Sequence, residues 1–236
     1  MTDVEIDADS TALLITDPQI DFLKPDSVVW DKVGETVEEN AVVNKLVALR
    51  EAAREGNVPV VYSPHEYTDD EFDSWEKLNT IDQIMFDTRM FDADGKGSDF
   101  VPELSPDDNT FVLSPHKQLS GFWSNDVGTQ LRQRGIDTLV LAGMSANLCV
   151  ESHLRDAVEN GFEVITVTDA TAAAGQDALE AAHTNFGFIA HETVTTEQAT
   201  DRLATAGVEA ESVSTDGGRD TTEENESSNG FLSRFF

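Results

Sequence analysis

Cys149 is the only cysteine of the chain, and its setting suits a nucleophile. It lies in the stretch Val140 to Asp156, V-L-A-G-M-S-A-N-L-C-V-E-S-H-L-R-D. Leu139 to Ala142 reads as a buried strand and Leu148 to Asn160 as an amphipathic helix, joined by Gly143-Met144-Ser145-Ala146-Asn147. The first N–H groups of a helix have no helical partners, and their partial positive charge favours anions. A thiolate is an anion, so a helix N-terminus lowers a thiol's pKa. Two more residues complete a reactive set. Asp17 ends the apolar run Thr11 to Thr16, before Pro18, and Lys117 follows the run Thr110 to Leu113. A thiol at its ordinary pKa is mostly protonated at neutral pH. A carboxylate can take that proton, an ammonium can hold both groups in place, and the Ser145 and Cys149 N–H groups can bind an oxyanion. Each residue also has a plainer reading. Free cysteines are commonly buried and structural, an aspartate before proline caps a turn, and a lysine is usually solvated.

The elements that must position this set follow from the apolar pattern. Strands are expected at Thr11 to Thr16, Val58 to Tyr62, Thr110 to Leu113, Thr138 to Ala142, Phe162 to Thr168 and Phe188 to Thr193. Helices are expected at Thr36 to Glu55, Asn125 to Arg134, Leu148 to Asn160 and Gln176 to Asn185. A glycine closes each helix before the next strand, at Gly56, Gly135, Gly161 and Gly187. Recurring helix-then-strand units imply an α/β fold, a three-layer α-β-α arrangement around a six-stranded, mostly parallel sheet. Such sheets bind ligands beyond the C-terminal ends of their strands. Asp17, Lys117 and the Gly143–Cys149 link all follow strand ends, so one sheet edge collects them. Residues 63–106 lack a period and are rich in Asp and aromatics, which reads as a long excursion covering the site or an interface. Residues 1–205 form one domain, and 206–236 an acidic tail expected to be disordered.

Composition narrows the partners. Fifteen Lys and Arg stand against 46 Asp and Glu, a formal charge of −31. That excludes nucleic acid and anionic membranes as default partners. No apolar run approaches the roughly 20 residues of a membrane helix, and the acidic N-terminus has no signal-peptide pattern. A cytoplasmic protein acting on a small molecule is expected, its lone cysteine fitting a reducing compartment.

The motifs together resemble the isochorismatase-like cysteine hydrolase family, which includes nicotinamidases and N-carbamoylsarcosine amidase. The matching segments are Asp17-Pro18-Gln19-Ile20-Asp21-Phe22, then Lys117 with Ser120-Gly121-Phe122, then Gly143 to Val150, running on through Arg155-Asp156-Ala157, Gly161-Phe162 and Asp169-Ala170. The resemblance implies a Rossmann-like fold and a catalytic triad of Asp17, Lys117 and Cys149. It also implies a cis peptide bond between Met144 and Ser145, with the Ser145 and Cys149 amides as the oxyanion hole. Phe22, Phe122, Trp123 and Met144 are the candidate substrate-binding residues, and a homodimer or homotetramer is implied. Nicotinamidases carry a metal-binding Asp and two His after the second strand. Here that segment, Ser63 to Asp70, holds only His65, a poor transition-metal set. No metal or cofactor is therefore expected, and nicotinamide is not the expected substrate. His153, His183 and His191 read as structural or surface residues, and His116 stands out as the neighbour of Lys117. The expected activity is hydrolysis of an amide or ureido C–N bond through a thioester. The alternatives are an isochorismatase-type vinyl-ether hydrolase using Asp17 without the thiol, and a non-catalytic binding protein.

The charge of −31 carries its own expectation. Like charges repel across a Debye length of about 10 Å at 0.1 M salt but only about 3 Å at 1 M, so the sequence reads as adapted to a high-salt cytoplasm. The melting temperature is expected to climb as KCl is added, and a melting temperature indifferent to KCl would rule this out.

Overall fold

The structure is a computed structural model and describes residues 3–214 of the 236. The sheet runs through β1 (Thr11–Thr16), β2 (Val60–Ser63), β3 (Thr110–Val112), β4 (Thr138–Gly143), β5 (Glu163–Thr171) and β6 (Glu192–Val194). Its order is β3-β2-β1-β4-β5-β6, and every neighbouring pair is parallel. The helices are α1 (Ile20–Leu23), α2 (Trp30–Glu39), α3 (Val42–Glu55), α4 (Asp69–Ser74), α5 (Thr80–Thr88), α6 (Gly121–Ser124), α7 (Val127–Gln133), α8 (Glu151–Glu159), α9 (Gln176–Ile189) and α10 (Thr196–Ser214). Among the described residues no helix is long and apolar enough to cross a membrane.

Unbroken apolar runs become strands here because the sheet is covered on both faces. Successive strand side chains point to opposite sides. Leu13 and Ile15 of β1 join one core with Leu46, Leu49 and Ala53 of α3 and Leu203 of α10. Ala12 and Leu14 join the other with Leu131 of α7, Leu154 of α8 and Phe186 of α9. β4 divides the same way, Val140 and Ala142 to the first core and Leu139 and Leu141 to the second. The result is the three-layer α/β architecture that the sequence pattern implies.

Strand order reverses between β1 and β4, the crevice where parallel sheets take ligands. There Thr16 pairs with Gly143, so Asp17 and Met144 leave the sheet side by side. The excursion 63–106 packs over this end, held by aromatic contacts. Tyr67 meets Phe72, Trp75 and Phe86 at ring separations of 5.7, 5.5 and 5.1 Å.

Three elements differ from the sequence reading. The helix expected over Thr36 to Glu55 is two, α2 and α3, broken at Ala41, where φ is 48°. Polar anchors that apolar spacing does not record decide this, since Thr36 Oγ1 donates to Ala173 O (2.6 Å) and Asn40 Nδ2 to Thr171 O (2.9 Å). Gly187 does not end a helix but lies inside α9, which runs on through Phe188 and Ile189, so the last strand starts at Glu192 and not at Phe188. A helical glycine costs about 1 kcal/mol relative to alanine, and burying Phe186 (0% exposed) is worth about 1.5–3 kcal/mol. Finally, α10 extends to Ser214, past residue 206 where the tail was expected to begin. Residues 215–236 of that tail lie outside the described residues.

Gly143 has φ +119°, and a Cβ there would lie 2.2 Å from Thr16 O and 2.7 Å from Thr16 N. Gly143→Ala is expected to destabilise the protein by about 3 kcal/mol or more, combining overpacking with a disfavoured φ. Urea unfolding measures this, and a loss under about 1 kcal/mol would mean that β1 and β4 can separate at no real cost.

Candidate active site

Four buried side chains from four loops meet beyond the sheet's C-terminal edge. Asp17 follows β1 with φ 46°, a left-handed conformation rare outside glycine and typical of functional positions. Its N–H donates to Ser63 O (3.0 Å), tying it to the end of β2. Its Oδ1 accepts from His116 Nε2 at 2.9 Å, and both side chains are fully buried. His65, after β2, lies alongside His116 in a parallel bridge with the rings 4.4 Å apart. Gln19 pins His65 by its backbone, accepting from His65 N (2.8 Å) and donating to His65 O (2.7 Å). The His65 ring stacks on Phe91 at 4.8 Å, 11° from parallel.

Cys149 sits in a π-helical turn, Ala146–Val150, that leads into α8. The Met144–Ser145 peptide bond is cis. The link is fastened by Met144 N to Thr16 O (3.0 Å), Thr16 Oγ1 to Met144 O (2.9 Å) and Ala146 N to Ala172 O (2.7 Å). The sulfur lies within 4.8 Å of an Asp17 carboxylate oxygen, with the Ser145 and Cys149 backbone N–H groups near it. Burial, and then the negative charge of Asp17, push the thiol pKa well above its ordinary value, and the two N–H groups only partly counter this. The resting sulfur is a protonated thiol beside the Asp17 carboxylate. His153 supports the same turn. Gly121 N and Ser63 Oγ donate to its Nε2 (3.1 and 3.0 Å), so Nδ1 carries the proton and donates to Cys149 O (2.7 Å). Burial lowers the His153 pKa to about 3, which keeps it neutral, and burial likewise holds His65 well below 6.5.

A cavity of about 110 Å³ opens onto this group. Phe22 and Leu119 line it with Ile81, Ile84 and Met85 of α5, then Met90 and Phe91; Ser145, Leu148, Cys149 and His65 also face it. Among the lining residues, Lys32 of α2 brings a cation. Asp21 braces the wall, its Oδ2 accepting from Phe91 N (2.7 Å), and burial raises its pKa.

The structure therefore brings Asp17, Ser145 and Cys149 together, and Phe22 to the cavity. The ammonium of Lys117 is not at Asp17, where the sequence reading put it. It donates to Glu66 O and pairs with Glu71 Oε2 at 2.8 Å, outside the buried group. His116 occupies the expected place. Neighbouring residues of an extended segment point opposite ways, so a shift of one residue exchanges the inner side chain for the outer. Phe122 packs on His153 and Phe162 in the second core. Trp123 is 84% exposed and donates to Asp156 Oδ1 (3.2 Å). Met144 is buried in the first core. These three do not line the cavity. The real walls come from α5 and the turn after it, where the run Ile81, Ile84, Met85 at helical spacing was the available signal. The expectation of no metal counted His65 alone, whereas Asp17, His65, His116 and Cys149 each offer a ligand atom, all within 4.8 Å of one another.

Known proteins resemble this chain in sequence and in fold. The isochorismatase domain matches residues 11–198. A ureidoacrylate amidohydrolase of Methylorubrum extorquens is 31% identical over 189 residues, 75% of each chain. A cysteine hydrolase from Pseudomonas syringae pv. phaseolicola 1448A shares the fold with TM-score 0.75 and 24% identity, over 86% of this chain and 97% of that one. N-carbamoylsarcosine amidase from Thermoplasma acidophilum superposes with TM-score 0.58 and 26% identity, over 79% and 96%.

The electrostatics around the sulfur can be checked with an alkylating agent. Wild-type Cys149 is expected to react with iodoacetamide at pH 8 more slowly than a free thiol, because it is protonated and only 3% exposed. Asp17→Asn removes the charge that opposes the thiolate and should speed labelling severalfold. Slower labelling in that variant would show Asp17 acting on the sulfur mainly as its base, and unchanged labelling would show that Asp17 does not govern the sulfur.

Proposed function

This chain belongs to the isochorismatase family, and we propose that within it the chain is a cysteine hydrolase of small-molecule amide or ureido C–N bonds. The observation that carries this reading is the buried Cys149 sulfur within 4.8 Å of an Asp17 carboxylate oxygen, where Ser145 and Cys149 line the end of an apolar cavity. The ureidoacrylate amidohydrolase relative supports ureido compounds as the substrate class. Lys32 at the cavity supports a substrate that carries a carboxylate.

In the proposed reaction Asp17 takes the Cys149 proton as sulfur attacks the carbonyl carbon. The Ser145 and Cys149 N–H groups hold the oxyanion. As the tetrahedral centre collapses, the C–N bond breaks and Asp17 returns the proton to the leaving nitrogen, releasing ammonia or an amine. Water then attacks the thioester, Asp17 accepts its proton, the C–S bond breaks and the thiol is restored. His116 Nε2–H holds Oδ1 of Asp17 and so leaves the other carboxylate oxygen for the proton. Lys117 takes no part. Closing the cavity to bulk water strengthens each of these interactions. A homodimer or homotetramer and a high-salt cytoplasm belong to the same reading. Trp123 and Phe188, 84% and 87% exposed, are apolar surface that subunit contact would cover.

Ammonia release from a panel of amides and ureides in molar KCl tests the proposal. Cys149→Ala should stop turnover and leave the fold intact. His116→Ala should lower kcat by about 10²-fold or more, the scale of losing a positioned proton-transfer partner. Lys117→Met should stay within about threefold of wild type, since it loses only a partly exposed ion pair worth about 0–1 kcal/mol. Turnover in Cys149→Ala would refute the covalent route, and a Lys117→Met variant as inactive as His116→Ala would restore the lysine to the chemistry.

A further inference from the structure

We propose that Asp17, His65, His116 and Cys149 form a binding site for one transition-metal dication, with zinc the natural fit. The four residues are buried, and one ligand atom from each lies within 4.8 Å of all the others. What points to a ligand is the polar atoms left without partners. Asp17 Oδ2, both ring nitrogens of His65 and His116 Nδ1 are buried and make no hydrogen bond. A neutral imidazole always bears one N–H, so either tautomer of His65 strands a buried donor and a buried lone pair. Each such group is costly to bury unpaired, and unpaired groups of this kind call for an unseen water or ion. A single cation that accepts a lone pair from every member relieves most of this cost at once.

The donor set is right for zinc: two imidazoles, one sulfur and one carboxylate. Zn–N bonds of about 2.0–2.1 Å and Zn–S of about 2.3 Å put tetrahedral ligand atoms about 3.3–3.6 Å apart, so closure asks for side-chain movement on the order of an ångström. The surrounding shell is the kind that holds metal ligands still. Gln19 grips the His65 backbone on both sides, Phe91 stacks on its ring, and His116 N donates to Pro64 O (2.8 Å). Loading replaces the Cys149 S–H bond with a metal–sulfur bond and releases one proton per ion.

An ion seated there occupies the sulfur lone pair and the carboxylate together. It leaves neither nucleophile nor base, so loading suppresses hydrolysis. That consequence rests on the hydrolase reading above, whereas binding rests on the geometry alone.

Cobalt(II) is the probe, added to the full-length protein after metal stripping. One equivalent should produce a thiolate-to-cobalt charge-transfer band and the intense d–d bands of tetrahedral cobalt, both displaced by zinc. Cys149→Ser, nearly isosteric, should lose the charge-transfer band. His65→Ala should bind cobalt at least about a hundredfold more weakly, beyond the 10–100-fold cost of losing a supporting residue, with far-ultraviolet circular dichroism confirming its fold. Absence of the band in wild type, or the same spectrum and affinity in Cys149→Ser, would overturn the site. Ammonia release by the stripped protein with no cobalt band would leave the hydrolase standing and remove the metal site. A cobalt band with no turnover of any amide or ureide would do the reverse.

Discussion

The parallel contact of β1 with β4 is the constraint on which the site depends. Thr16 accepts from Met144 N and donates to Met144 O, and only a glycine at 143 lets the two backbones come so close. Asp17 and the link to Cys149 therefore leave adjacent strands at the same height. A carboxylate and a thiol 132 positions apart in the chain come within 4.8 Å of each other without any flexible segment aiming them. The reversal of strand order at this pair also leaves a crevice, since the chain has to turn away in both directions.

Around that contact the protein sets aside the rules that govern the rest of its interior. Most buried polar groups in a fold are paired, and here several are not. Asp17 has a positive φ, and three histidines, His65, His116 and His153, are fully buried close to it. His153 is satisfied at both nitrogens and acts as a brace, joining the end of β2, the Gly121 turn and the Cys149 carbonyl. His65 and His116 are not satisfied, and they face the reactive pair. A stable core could be built more cheaply from hydrocarbon. Concentrating the cost at one sheet edge marks where chemistry has been favoured over stability.

Much of this was legible in advance, for identifiable reasons. β1 and β4 read correctly because strands buried on both faces are apolar without interruption. Asp17 stood out because it directly follows such a run, and Cys149 because it stands where the helix after the other run begins. The inner residue after β3 was misplaced by one position, Lys117 for His116, because 114–120 is irregular and has no period to fix its phase. The aromatic residues of that same segment misled for a related reason. Phe122 and Trp123 are close to the site in sequence, yet the α6 turn carries them to the second core and to solvent. The α5 wall was hidden inside an excursion held by aromatic contacts rather than by repeat.

By itself the sequence determined the layers, the parallel sheet, and the sheet edge where a carboxylate and a thiol meet. All of these follow from hydrophobic period and position relative to strand ends, which are local properties. The tertiary structure alone decided which cation-capable side chain meets Asp17, that His65 joins it, and which apolar residues enclose the cavity. Those are contacts between segments tens of residues apart. Nothing in a one-dimensional pattern records which face of an irregular loop turns inward.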